Sequence, residues 1–178
     1  PQVIRGLKPG AYQIREIQAA EGYLLLKEPV EIQVTNKNGV QTFFVTNQKL
    51  ITEVEKLDKE TGLPLPGANL CLIRREDGTV LREWISTGVP EVFQGLSKGR
   101  YILRETQAPE GYAIAKEVQF EVTGLEEKQV VTLENEKIVT EFTKVDSLYH
   151  TPVTGAKLQL VQNAGQDTEC IVKEWITD

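Results

Sequence analysis

The twelve residues YILRETQAPEGY at positions 101–112 repeat the sequence YQIREIQAAEGY at positions 12–23, at an offset of 89. Two further pairs of segments share an offset of 88: VTNQK (45–49) with LENEK (133–137), and KLD (56–58) with KVD (144–146). Similarity that returns in order at a fixed period is typical of tandem structural modules. The chain is therefore predicted to consist of modules of about 89 residues.

The repeats divide the chain into one whole module and two parts. Residues 49–137 hold a lysine, a glutamate and an asparagine of the repeated motifs in that order, and are predicted to form a complete module. Residues 1–48 hold only the glutamate and the asparagine, as the C-terminal half of a module, and 138–178 hold only the lysine, as an N-terminal half. Two explanations stay open: adjoining repeats of a longer array complete both halves, or the last half of one chain completes the first half of another.

Composition excludes several classes of function. A net charge of −6 leaves no basic stripe that could neutralise the phosphates of a nucleic acid. No run of about 20 apolar residues is present, so membrane insertion is not expected. The single histidine, His150, and the two cysteines lack the spacing of a metal site, and one histidine in a turn-rich segment cannot support a Ser/His/Asp set. An enzyme that acts on other molecules is therefore not expected.

Alternation of apolar and polar residues dominates the chain and predicts an all-β fold. In the complete module the predicted strands are 51–58, 69–75, 80–86, 91–95, 100–106, 117–123 and 128–135. Turn signals such as Asp77-Gly78 and Lys98-Gly99 separate them. Seven short strands at this spacing favour an Ig-like β-sandwich. In the first half, Asn38-Gly39 predicts a hairpin between strands 30–35 and 40–47.

The same alternation predicts which side chains face the core. Leu70 and Leu72 share one face of their strand, and Cys71 is predicted to point away from the core; no disulfide between Cys71 and Cys170 is expected. Lys56 falls on the apolar face of its strand, which is a costly position for an amine without a partner. Trp84 and Trp175 recur at corresponding strand positions, which favours a core role over an exposed binding surface.

Three segments of the complete module resemble a known family. The segments 56–68, 101–112 and 135–137 are similar to the B-type repeats of Gram-positive collagen adhesins and SpaA-type pilins, which are prealbumin-like sandwiches. The resemblance implies a spontaneous amide bond between Lys56, the nucleophile, and Asn135, whose side-chain nitrogen leaves as ammonia. Glu105 would relay the proton, and no cofactor would be needed. By the repeat, Glu16 and Asn47 are the counterparts in the first half and Lys144 is the counterpart in the last.

Physical chemistry is compatible with these implied roles. Burial lowers the pKa of a lysine and raises that of a carboxyl group, so both groups become neutral together. A neutral amine can attack an amide, and a protonated carboxyl can polarise it. The alternative is that Lys56 reaches solvent, Glu105 forms an ordinary salt bridge and Asn135 caps a turn.

The resemblance also implies a function and a location. The chain would be a structural stalk or fibre segment of an adhesin or pilus-like protein on the extracellular surface or cell wall of a Gram-positive bacterium. Its partners would be neighbouring identical modules in an array or fibre, and host extracellular matrix would be contacted by other parts of the protein. The alternative is a ligand-binding adhesin domain that holds host matrix or carbohydrate through its loops.

Overall fold

The computed structural model describes residues 2–178, and the described part contains strands and no helix. Residues up to Ile138 form one compact unit, and Val139–Asp178 form a second. The strands are β1 (Gly10–Ile14), β2 (Val30–Val34), β3 (Ile51–Asp58), β4 (Asn69–Arg74), β5 (Val80–Ile85), β6 (Glu91–Gln94), β7 (Gly99–Gln107), β8 (Val118–Val122), β9 (Lys128–Asn135), β10 (Lys157–Gln162) and β11 (Cys170–Ile176). The all-β fold is therefore confirmed, and each strand predicted for residues 49–137 is present, with ends that differ by at most one residue.

Residues 49–137 form two sheets that enclose one apolar core. The strand order is β6-β3-β9 in the three-stranded sheet and β5-β4-β7-β8 in the four-stranded sheet. Buried side chains of both sheets contact each other, including Val54 and Leu133 of the first and Leu70, Leu72 and Leu103 of the second. Inward-facing apolar residues on both sheets are what a β-sandwich requires.

The first and last strands of this module are neighbours. Strand β3 pairs with β9 in parallel, from Ile51 opposite Lys128 to Asp58 opposite Asn135. On its other side β3 pairs with β6 in antiparallel orientation. The chain thus enters the module at the start of β3 and leaves it at the end of β9, which are opposite ends of one strand pair.

Cys71 lies outside the apolar core, as alternation predicts, but it is buried. Cys71 is 4% exposed, although it lies on the opposite face of β4 from Leu70 and Leu72. The reason is that β4 is an interior strand, and the register places Cys71 between Glu83 of β5 and Arg104 of β7, whose longer side chains can cover a small thiol. Burial raises the pKa of this thiol. Cys170 is exposed, and both cysteines are free.

The strand predicted at 40–47 is also wrong, because these residues adopt no strand conformation. Their counterpart in the complete module is β9, whose extended pairing is with β3. Segment 139–146, the counterpart of β3, likewise forms only an isolated bridge, between Val145 and Pro152. Both segments carry exposed apolar side chains, with Val40 88% and Val139 89% exposed. A strand of this type therefore depends on a partner that is distant in sequence.

The two tryptophans have packing roles. Trp84 is partly buried against the core, with its ring centroid 5.5 Å from that of Phe93 in an edge-on arrangement. Trp175 is partly buried, and its centroid is 5.7 Å from that of Phe142. Neither ring is therefore displayed as a free aromatic surface.

The first half packs against the complete module through backbone groups. The Leu50 N–H donates to the Gly22 carbonyl at 2.9 Å, and Tyr23 forms an isolated antiparallel bridge with Lys49. A Cβ atom on Gly22 would lie 2.4 Å from the Gly95 carbonyl oxygen, and Gly22 has a φ of +78°. Only glycine satisfies both the conformation and the close approach.

Candidate functional site

Strands β3, β7 and β9 bring three polar side chains into the interior of the complete module. Lys56, Glu105 and Asn135 are 6%, 3% and 1% exposed. Lys56 lies opposite Leu133 in the parallel register, and Asn135 is two residues farther along β9 on the same inward face. The fold thus places the predicted nucleophile and the predicted electrophile on adjacent strands.

Glu105 contacts both of the other groups. Its Oε1 atom lies 3.8 Å from Lys56 Nζ, and its Oε2 atom accepts a hydrogen bond of 2.7 Å from Asn135 Nδ2. The Ala115 N–H also donates to Oε2 at 2.7 Å. The carboxyl group therefore has one oxygen toward the amine and the other on the amide nitrogen.

Backbone carbonyls hold the two nitrogen-bearing groups. Asn135 Nδ2 donates to the Ala113 carbonyl at 2.6 Å, and Lys56 Nζ donates to the Leu133 carbonyl at 3.2 Å. Both carbonyls belong to segments next to the site, so the fold itself orients the amine and the amide. Sequence reasoning missed these backbone contacts, since no side-chain motif records them.

Two buried oxygen atoms of the described site lack a hydrogen-bond donor. They are Glu105 Oε1 and Asn135 Oδ1. An unsatisfied buried polar atom costs about 1–3 kcal/mol.

Burial lowers the pKa of Lys56 below the ordinary lysine value of 10.5. The negative charge of Glu105, its hydrogen bond and the charge of Glu134 oppose this effect, but desolvation is the largest contribution. A larger share of the amine is therefore neutral than on an exposed lysine. The neutral form is the nucleophile.

A turn at the end of β3 fixes the strand beside Lys56. Asp58 accepts hydrogen bonds from the Glu60 N–H at 2.8 Å and the Thr61 N–H at 3.1 Å, and Tyr112 Oη donates to its second oxygen at 2.6 Å. The hydrogen bond from the Tyr112 hydroxyl is the main reason that the pKa of Asp58 lies below its usual value. Sequence reasoning gave these residues no role, although both belong to the repeated motifs.

We expect Tyr112→Phe to lower the thermal stability of the protein at neutral pH. A depressed carboxylate pKa contributes stability that is present above the unfolded-state value of 3.8 and is lost as the pH falls through the folded-state pKa. The deficit of the variant should therefore be largest near pH 7 and should shrink in strong acid. Melting temperatures of both proteins across this pH range test the prediction, and an equal deficit at every pH would contradict it.

The first half holds a second copy of part of this site. Asn47 Nδ2 donates to Glu16 Oε2 at 2.7 Å and to the Leu24 carbonyl at 3.0 Å. The Leu26 N–H donates to the same Glu16 oxygen at 2.8 Å. In the complete module, Asn135 makes the same two contacts with Glu105 and the Ala113 carbonyl, and the Ala115 N–H makes the third. Both Glu16 and Asn47 are partly buried, whereas Lys144 is exposed.

Other kinds of site find no support in the described residues. Residues 2–178 contain no cluster of three or more histidine, cysteine or acidic side chains that could hold a metal ion. The same range has no helix long and apolar enough to cross a membrane.

A sequence model described as SpaA, prealbumin-like fold domain, matches residues 2–49 and 51–137. The chain belongs to this family. The match falls on the two parts that hold Glu16 with Asn47 and Glu105 with Asn135. The prealbumin-like fold and the resemblance to SpaA-type repeats are therefore confirmed.

Several solved structures resemble this SpaA-family chain. The Bacillus anthracis TIE protein is 24% identical, with a TM-score of 0.54 over 97% of this chain and 33% of that protein. A streptococcal ancillary pilin is 17% identical over 90% of this chain and 56% of its own length, with a TM-score of 0.45. The group B streptococcus pilus 2b backbone protein is 20% identical over 67% of this chain and 53% of its own length, with a TM-score of 0.43. The chain thus spans about a third of the TIE protein. A comparison with curated proteins found no match.

Proposed function

We propose that the chain is a structural shaft segment of a bacterial cell-surface filament or adhesin, and that its complete module closes itself with an amide bond between Lys56 and Asn135. The observation that carries the proposal is the buried contact of Glu105 with both of these side chains, at 3.8 Å and 2.7 Å. The bond joins β3, where the chain enters the module, to β9, where it leaves. Its role is to carry tension.

The reaction needs only the three side chains. The Lys56 nitrogen attacks the side-chain carbonyl carbon of Asn135, the bond from that carbon to Nδ2 breaks, and ammonia leaves. Glu105 gives a proton to the departing nitrogen and takes one from the attacking amine, so it ends unchanged. The positions of its two oxygen atoms suit this exchange, because each already faces one of the two nitrogens. The fixed geometry replaces a slow encounter in solution.

The reaction happens once in each molecule, so the module is its own substrate and not an enzyme that acts on others. No cofactor takes part in the proposed chemistry. A role at the cell surface is in keeping with the pilins among the structural relatives, and the repeats within the chain itself support similar modules as neighbours. The ligand-binding alternative receives less support, since Trp84 and Trp175 pack against Phe93 and Phe142.

The mass of the intact protein tests the proposal. We expect the monomer to be lighter than its sequence mass by about 17 Da, the mass of one ammonia that the substitution at the amide carbon releases. Lys56→Ala should restore the full sequence mass of the variant. Lys59→Ala is the matched control, because Lys59 is an exposed lysine three residues away that pairs with Glu136.

The outcomes separate clearly. A deficit in the wild type and in Lys59→Ala, but not in Lys56→Ala, supports the bond. A wild-type mass equal to the sequence mass would contradict it. Fragmentation of a digest should find one branched peptide that contains both Lys56 and Asn135.

A further inference from the structure

The free edge of β9 is the longest uninterrupted strand edge of the complete module. Strand β9 lies at one end of the order β6-β3-β9, and its eight residues pair with β3 without a register shift. The other edge strands are less open. Strands β6 and β8 have four and five residues, and a register shift between Leu72 and Ile73 interrupts the pairing of β5. Short and bulged strands protect a sheet edge against another chain, and β9 is neither.

Two hydrogen bonds establish which backbone groups of β9 face the free edge. The Lys59 N–H donates to the Asn135 carbonyl at 3.0 Å, so the odd-numbered residues of β9 face β3. The Ala113 N–H donates to the Glu136 carbonyl at 2.9 Å from the opposite side. Backbone groups alternate in direction along a strand. The N–H and C=O groups of the free edge are therefore those of the even-numbered residues, which are Lys128, Val130, Thr132 and Glu134.

Space for a further strand is available beside this edge. A cleft of 560 Å³ lies between the segment that contains Ala115 and the strand residues Thr132 and Glu134. The Val130 residue is 50% exposed, and the Lys128 side chain is 51% exposed. Another strand can therefore approach the edge from Lys128 to Glu134.

The free edge of β9 is complementary to a second copy of itself. In an antiparallel pair, residues that exchange both backbone hydrogen bonds lie directly opposite each other, with their side chains on the same face. A two-fold axis at Val131 places Lys128 opposite Glu134 of the second copy, and Val130 opposite Thr132 of the second copy. Each of the four free residues then has a backbone partner.

Other registers use less of the edge. An axis at Val130 leaves Glu134 opposite a residue outside β9. An axis at Thr132 requires Glu136, whose carbonyl already accepts a backbone hydrogen bond. An axis between two residues pairs even-numbered positions with odd-numbered ones, whose backbone groups face β3. The axis at Val131 is thus the one that pairs the whole free edge.

The charges of the edge favour the same register. Lys128 and Glu134 have opposite charges, and the two-fold axis brings them together twice. Opposite charges directly across a strand pair stabilise it, whereas like charges destabilise it. Lys128 also lies 2.8 Å from Glu53 of its own copy, so its amine would be shared between two carboxylates. Charge complementarity of this kind selects one partner and one register.

We propose that two copies of the chain associate through their β9 edges, in antiparallel orientation about a two-fold axis at Val131. The order β6-β3-β9 then continues into β9-β3-β6 of the second copy as one sheet of six strands. A contact of this symmetry uses the same surface on both copies and closes after two of them. The association is non-covalent and does not depend on the amide bond of the proposed function.

The antiparallel orientation indicates where the second copy comes from. Shaft segments that extend from one surface run in the same direction, whereas segments on two facing surfaces run in opposite directions. The β9 contact therefore joins copies on facing surfaces, as a like-with-like adhesive contact. This part of the inference rests on the surface location in the proposed function.

Sedimentation equilibrium over a range of protein concentrations tests the pairing. The wild type should form a reversible dimer. Glu134→Lys should raise its dissociation constant by about tenfold or more, because two lysines then face each other at each end of the contact. Glu134→Lys combined with Lys128→Glu restores opposite charges and should recover the dimer. Glu110→Lys is the control, since it makes the same change of charge at an exposed turn outside β9.

A proline at Thr132 tests the backbone part of the contact. Thr132→Pro removes an N–H group that faces the free edge and leaves the hydrogen bonds between β9 and β3 in place. Proline is tolerated on an edge strand at such a position, so the module should fold, and circular dichroism checks this. The folded variant should be monomeric at concentrations at which the wild type is a dimer.

Beads that carry the chain through its C-terminal residue, Asp178, test the orientation, because all copies on one bead then point the same way. Wild-type beads should cluster, and beads with Glu134→Lys should not. Dimers in solution without clustering of wild-type beads would overturn the contact between facing surfaces.

Two results would overturn the pairing itself. One is a wild type that is monomeric at every concentration. The other is a dimer that neither Glu134→Lys nor Thr132→Pro weakens, since such a dimer uses another surface. Neither result affects the ammonia loss expected from Lys56 and Asn135, so failure of this inference is distinguishable from failure of the proposed function.

Discussion

When single molecules of this protein are stretched between their ends, Lys56→Ala should release about 270 Å more chain than the wild type. This length corresponds to about 80 residues that extend by 3.3–3.6 Å each. In the wild type, tension would pass from β3 through the amide bond to Asn135 at the end of β9, so the residues between them carry no load. Without the bond, separation of β3 from β9 exposes the whole module to the force. The readout is the contour length released in each unfolding event.

The free energies of unfolding of the wild type and Lys56→Ala should also differ at equilibrium. Closing a loop of about 80 residues should stabilise the module by about 4–5 kcal/mol, by the chain-entropy estimate used for disulfides. Reducing agents should not affect this difference, since no sulfur takes part. Lys59→Ala should behave as the wild type in both measurements, because the Lys59 ammonium is exposed and pairs with Glu136 outside the buried site. Equal released lengths for the wild type and Lys56→Ala would contradict the load-bearing role.

Replacing Glu105 by glutamine should slow amide formation by a factor of about 10²–10⁴, the usual contribution of a positioned acid or base. Glutamine can still accept the hydrogen bonds of Asn135 and Ala115 through its carbonyl oxygen, but it cannot exchange a proton between the two nitrogens. The measurement begins with unreacted protein held in denaturant. After refolding, the fraction that has lost ammonia is followed by mass against time.

Glu117→Gln is the control for this experiment. Glu117 is a partly exposed glutamate that accepts a 2.8 Å hydrogen bond from Arg104 on the same sheet, so its replacement removes one charge without touching the site. It should condense at the wild-type rate. Circular dichroism establishes that both variants refold, and condensation of a folded Glu105→Gln at the wild-type rate would rule out the proton transfer assigned to Glu105.

The sequence predicted most of the complete module because its signals are local. Alternation and turn residues act over a few positions, and they placed all seven strands of residues 49–137. The inward orientation of Lys56 follows from the same alternation, and the repeat pointed to Glu105 and Asn135 as its companions. The distances among the three groups could not be predicted, since they depend on the parallel pairing of β3 with β9.

The errors come from contacts between distant residues. Segment 40–47 has the alternation of a strand, but a strand also needs a neighbour, and its neighbour is not supplied within residues 2–48. Cys71 has the outward position that alternation assigns, but its burial between Glu83 and Arg104 of the adjacent strands does not follow from that pattern. The hydrogen bond between Asp58 and Tyr112 joins residues 54 positions apart. Local sequence patterns cannot predict such contacts, because the residues that make them lie far apart in the chain.

The meeting of Gly22 with Gly95 bears on how a row of such modules bends. Where two backbones touch without an intervening side chain, there is no soft layer to compress, so tilting toward that side meets resistance at once. The hydrogen bond from the Leu50 N–H to the Gly22 carbonyl ties the two parts together at the same place. A filament with this joint would hold its direction over several repeats and keep its far end away from the surface that bears it.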